Sequence, residues 1–252
     1  MLPAERRRRI AERVTEQGGQ SVDELASALD VSKATIRRDL TELEERGLVD
    51  RSHGGAVPVT SVGGEQTYDQ REVQNLDAKR AIADRAVGEI IDGSVVFFDS
   101  GTTTMEVARA APKDGSFLAV TNSPRLAVEL GKEENEVKLT GGTLRRRTRA
   151  LVGPTAESFM GRLNFDLLFL GTNAIHDDGS LTTPNEDEAR MKQLMVERSK
   201  RVVLVSDSSK LSRQSFVQFA HLDDVDVFIT DAPIPGHHDR FEASEVSVVI
   251  AE

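Results

Sequence analysis

Clusters of small polar and charged side chains follow several apolar runs in the second half of the sequence. One of them begins directly after Val95–Phe98 and reads Asp-Ser-Gly-Thr-Thr-Thr from Asp99 onward. Backbone N–H groups and hydroxyls at a turn that opens a helix attract an anion such as phosphate. Carboxylate and amide groups in the same place suit sugar hydroxyls. These residue types therefore favour binding of a small polyhydroxylated anion, and a phosphosugar satisfies both requirements.

The same arrangement recurs further along the chain. Strand-like runs at 117–120, 137–139, 167–170 and 202–205 end in Gly, Ser, Thr, Asn or charged residues, and runs at 227–229 and 246–250 complete the set. Strands that alternate with helices predict an α/β fold with a doubly wound, mostly parallel sheet, in which ligands bind beyond the carboxyl ends of the strands.

Any one of these loops is also explained by ordinary turn chemistry, because Gly, Ser and Thr are common turn formers. Their convergence at one sheet edge favours a binding site. The predicted contacts are Asp99, Ser100, Gly101, Thr102, Thr103, Thr121, Asn122, Ser123, Gly141, Gly142, Arg145, Asp207 and Lys210.

The first part of the chain predicts three helices followed by a hairpin. Ser21 and Glu24 have the spacing of a capping box at the start of the second helix, and Ser32 has the position of an N-cap before the third. Gly47 ends that third helix. Helix, short turn, helix and wing together predict a winged helix-turn-helix over residues 1–58.

The apolar stripe of the third helix leaves its basic and hydroxyl residues free to enter a DNA major groove, where Arg pairs with guanine or phosphate. The predicted DNA contacts are Ser32, Lys33, Thr35, Arg37 and Arg38 on the helix, with Arg51 and His53 on the wing. A solvated helix face is the alternative, because residues 1–58 carry 10 basic and 11 acidic side chains.

The composition narrows the class of protein. The chain has 252 residues and a net charge of −10, and 24 of its 32 basic residues are Arg. This balance is typical of proteins from salt-loving organisms. The alternative is an ordinary acidic protein from a GC-rich genome, which also prefers Arg to Lys. Cysteine is absent, which excludes disulfides and thiolate metal sites. Without a long apolar run or a signal peptide, we expect a cytoplasmic protein with no membrane contact.

Residues 21–57 closely resemble the N-terminal signature of the DeoR family of transcriptional regulators, with Thr-Ile-Arg-Arg-Asp-Leu in the third helix and His-Gly-Gly-Ala in the wing. The segments DSGTTT, LVGPTA, NEDEARMK and DSSK are similar to the DeoR-type sensor domain, whose fold resembles ribose-5-phosphate isomerase. This resemblance adds Glu188 and Lys192 to the predicted effector contacts. It also implies that Lys210 binds the charged group of the ligand.

The resemblance also implies a function, whereas the division of the chain follows from the residue patterns and from the polar composition of 59–77. It implies a repressor of fructose, glucose or glycerol catabolic genes that a phosphorylated sugar releases from double-stranded operator DNA. We expect a homodimer or homotetramer. The predicted division is a DNA-binding domain at 1–58, a linker at 59–77 and a sensor domain at 78–252.

An isomerase-like fold leaves a phosphosugar enzyme as the alternative function. Asp99, Glu188, Asp207 and Lys210 have the chemistry of a general base, a general acid and an enediolate partner. The DNA-reading domain favours sensing, so we expect no enzymatic activity, no catalytic residue, no cofactor and no metal. The His-Asp stretches at 176–178 and 237–239 are more typical of surface loops than of metal sites.

Overall fold

A computed structural model describes residues 1–17, 19–52, 54–57, 65–234 and 244–251. The chain divides into two compact units, Met1–Leu76 and Asp77–Glu252. No helix in the described ranges is both long enough and apolar enough to cross a membrane.

The first unit follows the predicted order of elements. The elements are α1 (Pro3–Glu16), β1 (Gln20–Ser21), α2 (Val22–Leu29), α3 (Lys33–Glu45), β2 (Asp50–Ser52) and β3 (Gly55–Val57). The predicted capping box is confirmed, because Ser21 Oγ accepts from Glu24 N while the Glu24 carboxylate accepts from Ser21 N. Ser32 likewise caps α3 by accepting from Thr35 N at 3.2 Å.

The end of α3 is also the predicted one. Gly47 has φ +66°, and its N–H donates to Glu44 O at 2.8 Å, while Leu48 N donates to Leu43 O at 2.8 Å. These two bonds form a Schellman motif, which requires a residue in the left-handed region and therefore favours glycine. Leu43 and Leu48 both lie in the buried core of this unit.

The wing has three strands, where the sequence predicted two. β3 lies between β2 and β1, and β1 pairs Gln20 with Ala56 and Ser21 with Gly55. A Cβ atom on Gly55 would lie 2.2 Å from Gln20 O, so the third strand can approach only because that residue is glycine. The partner strand is distant in sequence, and hairpin signals do not reveal it.

Part of the predicted linker is a helix. After the wing, Thr67 is the N-cap of α4 (Tyr68–Val73), and its side chain accepts from Gln70 N. Tyr68 is buried, and Val73 packs against the core of the first unit. The polar composition of 59–77 suggested a connector, but two apolar side chains are enough to dock so short a helix. The next helix begins at Leu76.

The second unit contains the remaining elements in the predicted alternation. They are α5 (Leu76–Ala86), β4 (Val95–Phe98), α6 (Thr102–Ala110), β5 (Leu118–Thr121), α7 (Pro124–Leu130), β6 (Val137–Leu139), β7 (Thr143–Leu144), β8 (Leu151–Val152), α8 (Pro154–Met160), β9 (Leu167–Leu170), β10 (Ala174–Ile175), β11 (Ser180–Thr183), α9 (Glu186–Glu197), β12 (Val202–Val205), β13 (Val217–His221), β14 (Val227–Thr230) and β15 (Ser247–Ile250). Short 3₁₀ turns lie at Val87–Glu89, Ser208–Lys210 and Leu222–Asp224.

Seven strands form one parallel sheet in the order β15-β14-β12-β9-β4-β5-β6. Successive residues of each central strand enter opposite cores: Phe97 and Leu168 pack on one face, and Phe98 and Phe169 on the other. Strands covered on both faces read as continuous apolar runs, and this is why the sequence revealed them. The predicted fold class is confirmed.

The chain leaves β4 toward β5 and β6 and later returns to β9 on the other side of β4. The gap between β4 and β9 is therefore the topological switch point, where doubly wound sheets bind ligands. The antiparallel sheet β10-β11-β13 and the hairpin β7-β8 were not predicted from the sequence.

Candidate functional site

Asp99 lies at the switch point, directly after β4, and is 1% exposed. Its Oδ1 accepts from Ser100 N at 2.8 Å, and its Oδ2 accepts from Gly171 N at 3.0 Å across the gap to β9. The Lys192 ammonium contacts the same Oδ2 and donates to Gly171 O at 2.8 Å. The two sides of the switch point are thus joined by one carboxylate and one ammonium.

Lys192 reaches this position from α9, which crosses one face of the sheet. Its side chain is 8% exposed, and its Nζ lies 5.4 Å from the centre of the Phe219 ring. A buried charge pair is tolerated only where further hydrogen bonds satisfy both groups. Asp99 and Lys192 meet this condition through Ser100 N, Gly171 N and Gly171 O.

Glu188 lies one helical turn before Lys192 on α9, so both side chains project from the same face. Its Oε1 accepts from Arg145 Nη1 at 3.1 Å and from the Thr148 hydroxyl. Asn185 caps the helix by accepting from Glu188 N at 3.2 Å. α9 therefore carries one member of each of two neighbouring ion pairs.

The start of α6 borders the switch point as predicted. Gly101 is its N-cap residue, and the first N–H groups of a helix lack partners within the helix. Thr104 Oγ1 donates to Asp99 O at 2.5 Å and to Gly101 O at 2.8 Å, which holds the turn closed. Thr102 and Thr103 supply further hydroxyls in the first turn of the helix.

In the loop after β5, Thr121 and Ser123 stabilise the turn, whereas Asn122 has an acceptor atom without a hydrogen-bond partner among the described residues. Thr121 Oγ1 accepts from Ser123 N, and Ser123 Oγ accepts from Leu126 N at the start of α7. Asn122 donates through Nδ2 to Leu151 O at 3.4 Å, and its Oδ1 is buried with no partner among the described residues. Asn122 is thus the member of this loop that is best suited to a ligand hydroxyl.

The glycines after β6 have a structural explanation. Gly141 and Gly142 have φ values of +72° and +109°. A Cβ on Gly142 would lie 2.7 Å from Val152 O of β8. These residues allow the β7-β8 hairpin to pack closely, and Arg145 projects from the turn of that hairpin.

Asp207 and Lys210 lie after β12. Asp207 caps the turn Ser208–Lys210 by accepting from Ser209 N, and Ser208 N donates to Asp231 Oδ1 at 2.6 Å. β12 is two strand positions from β4, which corresponds to about 10 Å. The structure therefore brings Asp99 into contact with Lys192 and Arg145 into contact with Glu188, and sets Asp207 farther along the same edge.

Sequence reasoning missed three residues that contact this group. Gly171 N and O bind the ion pair, and Gly171 ended a predicted strand, so its position was available as a signal. Thr148 donates to Glu188, and Phe219 lies beside Lys192. We find no local pattern in the sequence that marks either Thr148 or Phe219.

Most of the predicted DNA-contacting residues that the structure describes are exposed, and Thr35 is half-buried. Arg37 and Arg38 are exposed, and neither side chain has an ion-pair partner in the described part of the chain. Lys33 is exposed and pairs with Asp23 at 2.8 Å. Arg51 Nη1 donates to Arg37 O at 3.3 Å, which ties β2 to α3. His53 lies outside the described residues.

The run of four arginines in α1 has a different role. Arg6 Nε donates to Asp39 Oδ2 at 2.6 Å, and this hydrogen bond to a carboxylate raises the pKa of the Arg6 guanidinium. Arg7 forms an ion pair with Glu42. These pairs join α1 to α3 and give a cationic partner to two acidic residues of α3, the buried Asp39 and the exposed Glu42.

The two units match two parts of one family. Residues 6–62 match the DeoR-like helix-turn-helix domain, and residues 74–232 match the DeoR C terminal sensor domain. The chain belongs to the DeoR family. HTH-type transcriptional regulator GlpR of Haloferax volcanii is 69% identical over 250 residues, covering 99% of this chain and 98% of that protein.

More distant DeoR relatives are also similar over almost their full length. The glycerol-3-phosphate regulon repressor of Escherichia coli K12 is 37% identical over 237 residues, which is 93% of each chain. Among solved structures, ribose 5-phosphate isomerase A of Methanocaldococcus jannaschii aligns with 54% of this chain and 55% of its own, at a TM-score of 0.40 and 16% identity. So distant a likeness supports no statement about activity.

Proposed function

We propose that this DeoR-family protein represses genes of sugar or glycerol catabolism and is released from its operator by a phosphorylated sugar or glycerol phosphate. The proposal rests on two ion pairs that share helix α9: Lys192 pairs with Asp99 at the switch point of the sensor sheet, and Glu188, one helical turn earlier, pairs with Arg145. Asp99, Glu188 and Lys192 are buried and Arg145 is half-buried. Burying charges in this way is unfavourable for folding alone and is common at functional sites.

Both cations of the site already have carboxylate partners. A phosphate that binds Lys192 or Arg145 would therefore compete with Asp99 or Glu188, and the sugar hydroxyls would take up the carboxylate and the Asn122 oxygen that face them. Since α9 carries Glu188 and Lys192, binding would change the contacts of this helix. The ligand-free and ligand-bound states of the sensor unit would then differ in their ion pairs. A ligand can release the protein from DNA only if it interacts differently with two such states.

Binding without turnover is the form of this proposal that the contacts favour. A general base must reach the proton that it removes. Asp99 is instead engaged by Ser100 N, Gly171 N and Lys192. We further propose a symmetric oligomer in the cytoplasm that binds paired operator half-sites, and we propose that no cofactor takes part.

DNA binding in the presence of candidate effectors tests the proposal. Fluorescence anisotropy would follow the full chain on DNA from upstream of its own gene neighbourhood, in molar salt. Glycerol 3-phosphate, fructose phosphates and glucose 6-phosphate are added in turn, with unphosphorylated glycerol, fructose and glucose as matched controls. We expect one phosphorylated compound to release the DNA while its unphosphorylated form does not.

Two results would overturn parts of the proposal. Tight DNA binding that none of these phosphates weakens would reject the class of effector. If NMR detects that the full chain converts a sugar phosphate, the enzyme alternative is favoured.

A further inference from the structure

Helix α4 lies in the segment whose composition predicted a linker, yet it packs against the DNA-reading unit. Tyr68 is 1% exposed, Gln70 is 9% exposed, and Val73 packs against the core that α3 shares. The compact unit extends to Leu76, past the end of this helix. We infer that α4 belongs to the DNA-reading unit and that its residue Gln70 positions recognition helix α3 and the wing.

The Gln70 side chain makes two different contacts. Its Oε1 accepts from Thr67 N at 2.8 Å, which completes the capping box at the start of α4. Its Nε2 donates to Gly47 O at 2.9 Å, 23 residues earlier in the chain. One contact needs an acceptor and the other needs a donor, and the amide side chain supplies one of each on two different atoms.

Gly47 is the point at which the recognition helix ends and the wing begins. Its N–H closes the Schellman motif, whereas its carbonyl points out of the helix and is bound by Gln70. The first strand of the wing starts at Asp50, three residues later. Gln70 therefore holds the junction that sets the direction of both DNA-contacting elements, α3 and the wing, and it does so without reaching DNA-contacting side chains such as Arg38.

A matched pair of variants separates this contact from local helix stability. Gln70→Glu keeps an acceptor for Thr67 N but replaces the donor with a carboxylate oxygen opposite Gly47 O. Thr67→Ala removes the hydroxyl that accepts from Gln70 N and leaves the Gly47 contact in place. Gln70→Ala is included as a second test because it removes the donor without adding a charge.

Specificity is the readout, because lost stability alone would not change it in the folded protein. The full-length wild type first selects its tightest duplex from a random library. Each variant is then measured by anisotropy on that duplex and on an unrelated duplex of equal length, below its unfolding midpoint. We expect Gln70→Glu and Gln70→Ala to weaken binding to the selected duplex by about five- to tenfold. Binding to the unrelated duplex should change by less than twofold, since the phosphate-contacting cations are intact.

Thr67→Ala is expected to leave the ratio of the two affinities within twofold of the wild type. The inference is overturned if Gln70→Glu and Gln70→Ala keep the wild-type ratio. It is also overturned if Thr67→Ala lowers the ratio as much as they do, because the α4 cap rather than the Gly47 contact would then be responsible.

Discussion

Replacing Lys192 with Met probes the ion pair at the switch point. The Lys192 and Asp99 side chains are 8% and 1% exposed, so the variant leaves a buried carboxylate without its cation. Removing one partner of a buried pair costs about 3–5 kcal/mol. Asp99 keeps its hydrogen bonds from Ser100 N and Gly171 N, and we therefore expect the lower end of that range, about 3 kcal/mol.

Calorimetric unfolding of the full chain measures this change. For a unit of this size, each kcal/mol shifts the midpoint by about 2–4 °C, so Lys192→Met should lower the midpoint of the second unit by about 6–12 °C. The Asp99→Asn/Lys192→Met double variant removes both charges and should recover at least half of the loss, because replacing a whole buried pair is often close to neutral.

The reasoning would be refuted by a shift below about 2 °C for Lys192→Met, which would mean that water or another group compensates Asp99. It would also be refuted by a double variant whose loss equals the sum of the two single losses, because two groups in direct contact should couple.

Three further predictions concern separate parts of the molecule. Arg38→Ala should weaken specific DNA binding by about 1–3 kcal/mol, even in molar salt, with an unchanged unfolding midpoint. Gly47→Ala should cost about 1–2 kcal/mol in urea unfolding, because φ is +66° while no atom lies within 4 Å of the added Cβ. Hydrogen bonds from Lys200 and Val95 N hold the pKa of Asp166 below its ordinary 3.8. The ionised Asp166 carboxylate therefore contributes stability above pH 3.8, and this contribution is lost as the pH falls through the depressed pKa. Asp166→Asn should make the unfolding temperature fall less steeply as the pH is lowered through this range.

Each of these has a clear contrary result. Unchanged specific binding of Arg38→Ala would remove this residue from the DNA interface. Equal stability of Gly47→Ala would show that the end of α3 adapts without strain. A variant at Asp166 with the same acid dependence as the wild type would assign the acid sensitivity to other carboxylates.

The sequence by itself determined the elements whose signals are local. The capping box at Ser21, the N-cap at Ser32 and the glycine end at Gly47 each depend on contacts within a few residues. The strands at 167–170 and 202–205 were visible because a strand buried on both faces is a short apolar run. Strand and helix alternation then predicted the parallel sheet, and with it the edge at which Asp99 lies.

The tertiary structure decided which of those residues meet. Asp99 and Lys192 are 93 positions apart, and their contact depends on how α9 crosses the sheet. Gln70 and Gly47 are 23 positions apart. Their hydrogen bond attaches α4, which lies in the predicted linker, to the DNA-reading unit. Such pairings depend on the packing of whole elements against one another. The two partners of each contact lie too far apart in the sequence for a local pattern to include both. Composition and spacing could therefore indicate the kind of site but not its contacts.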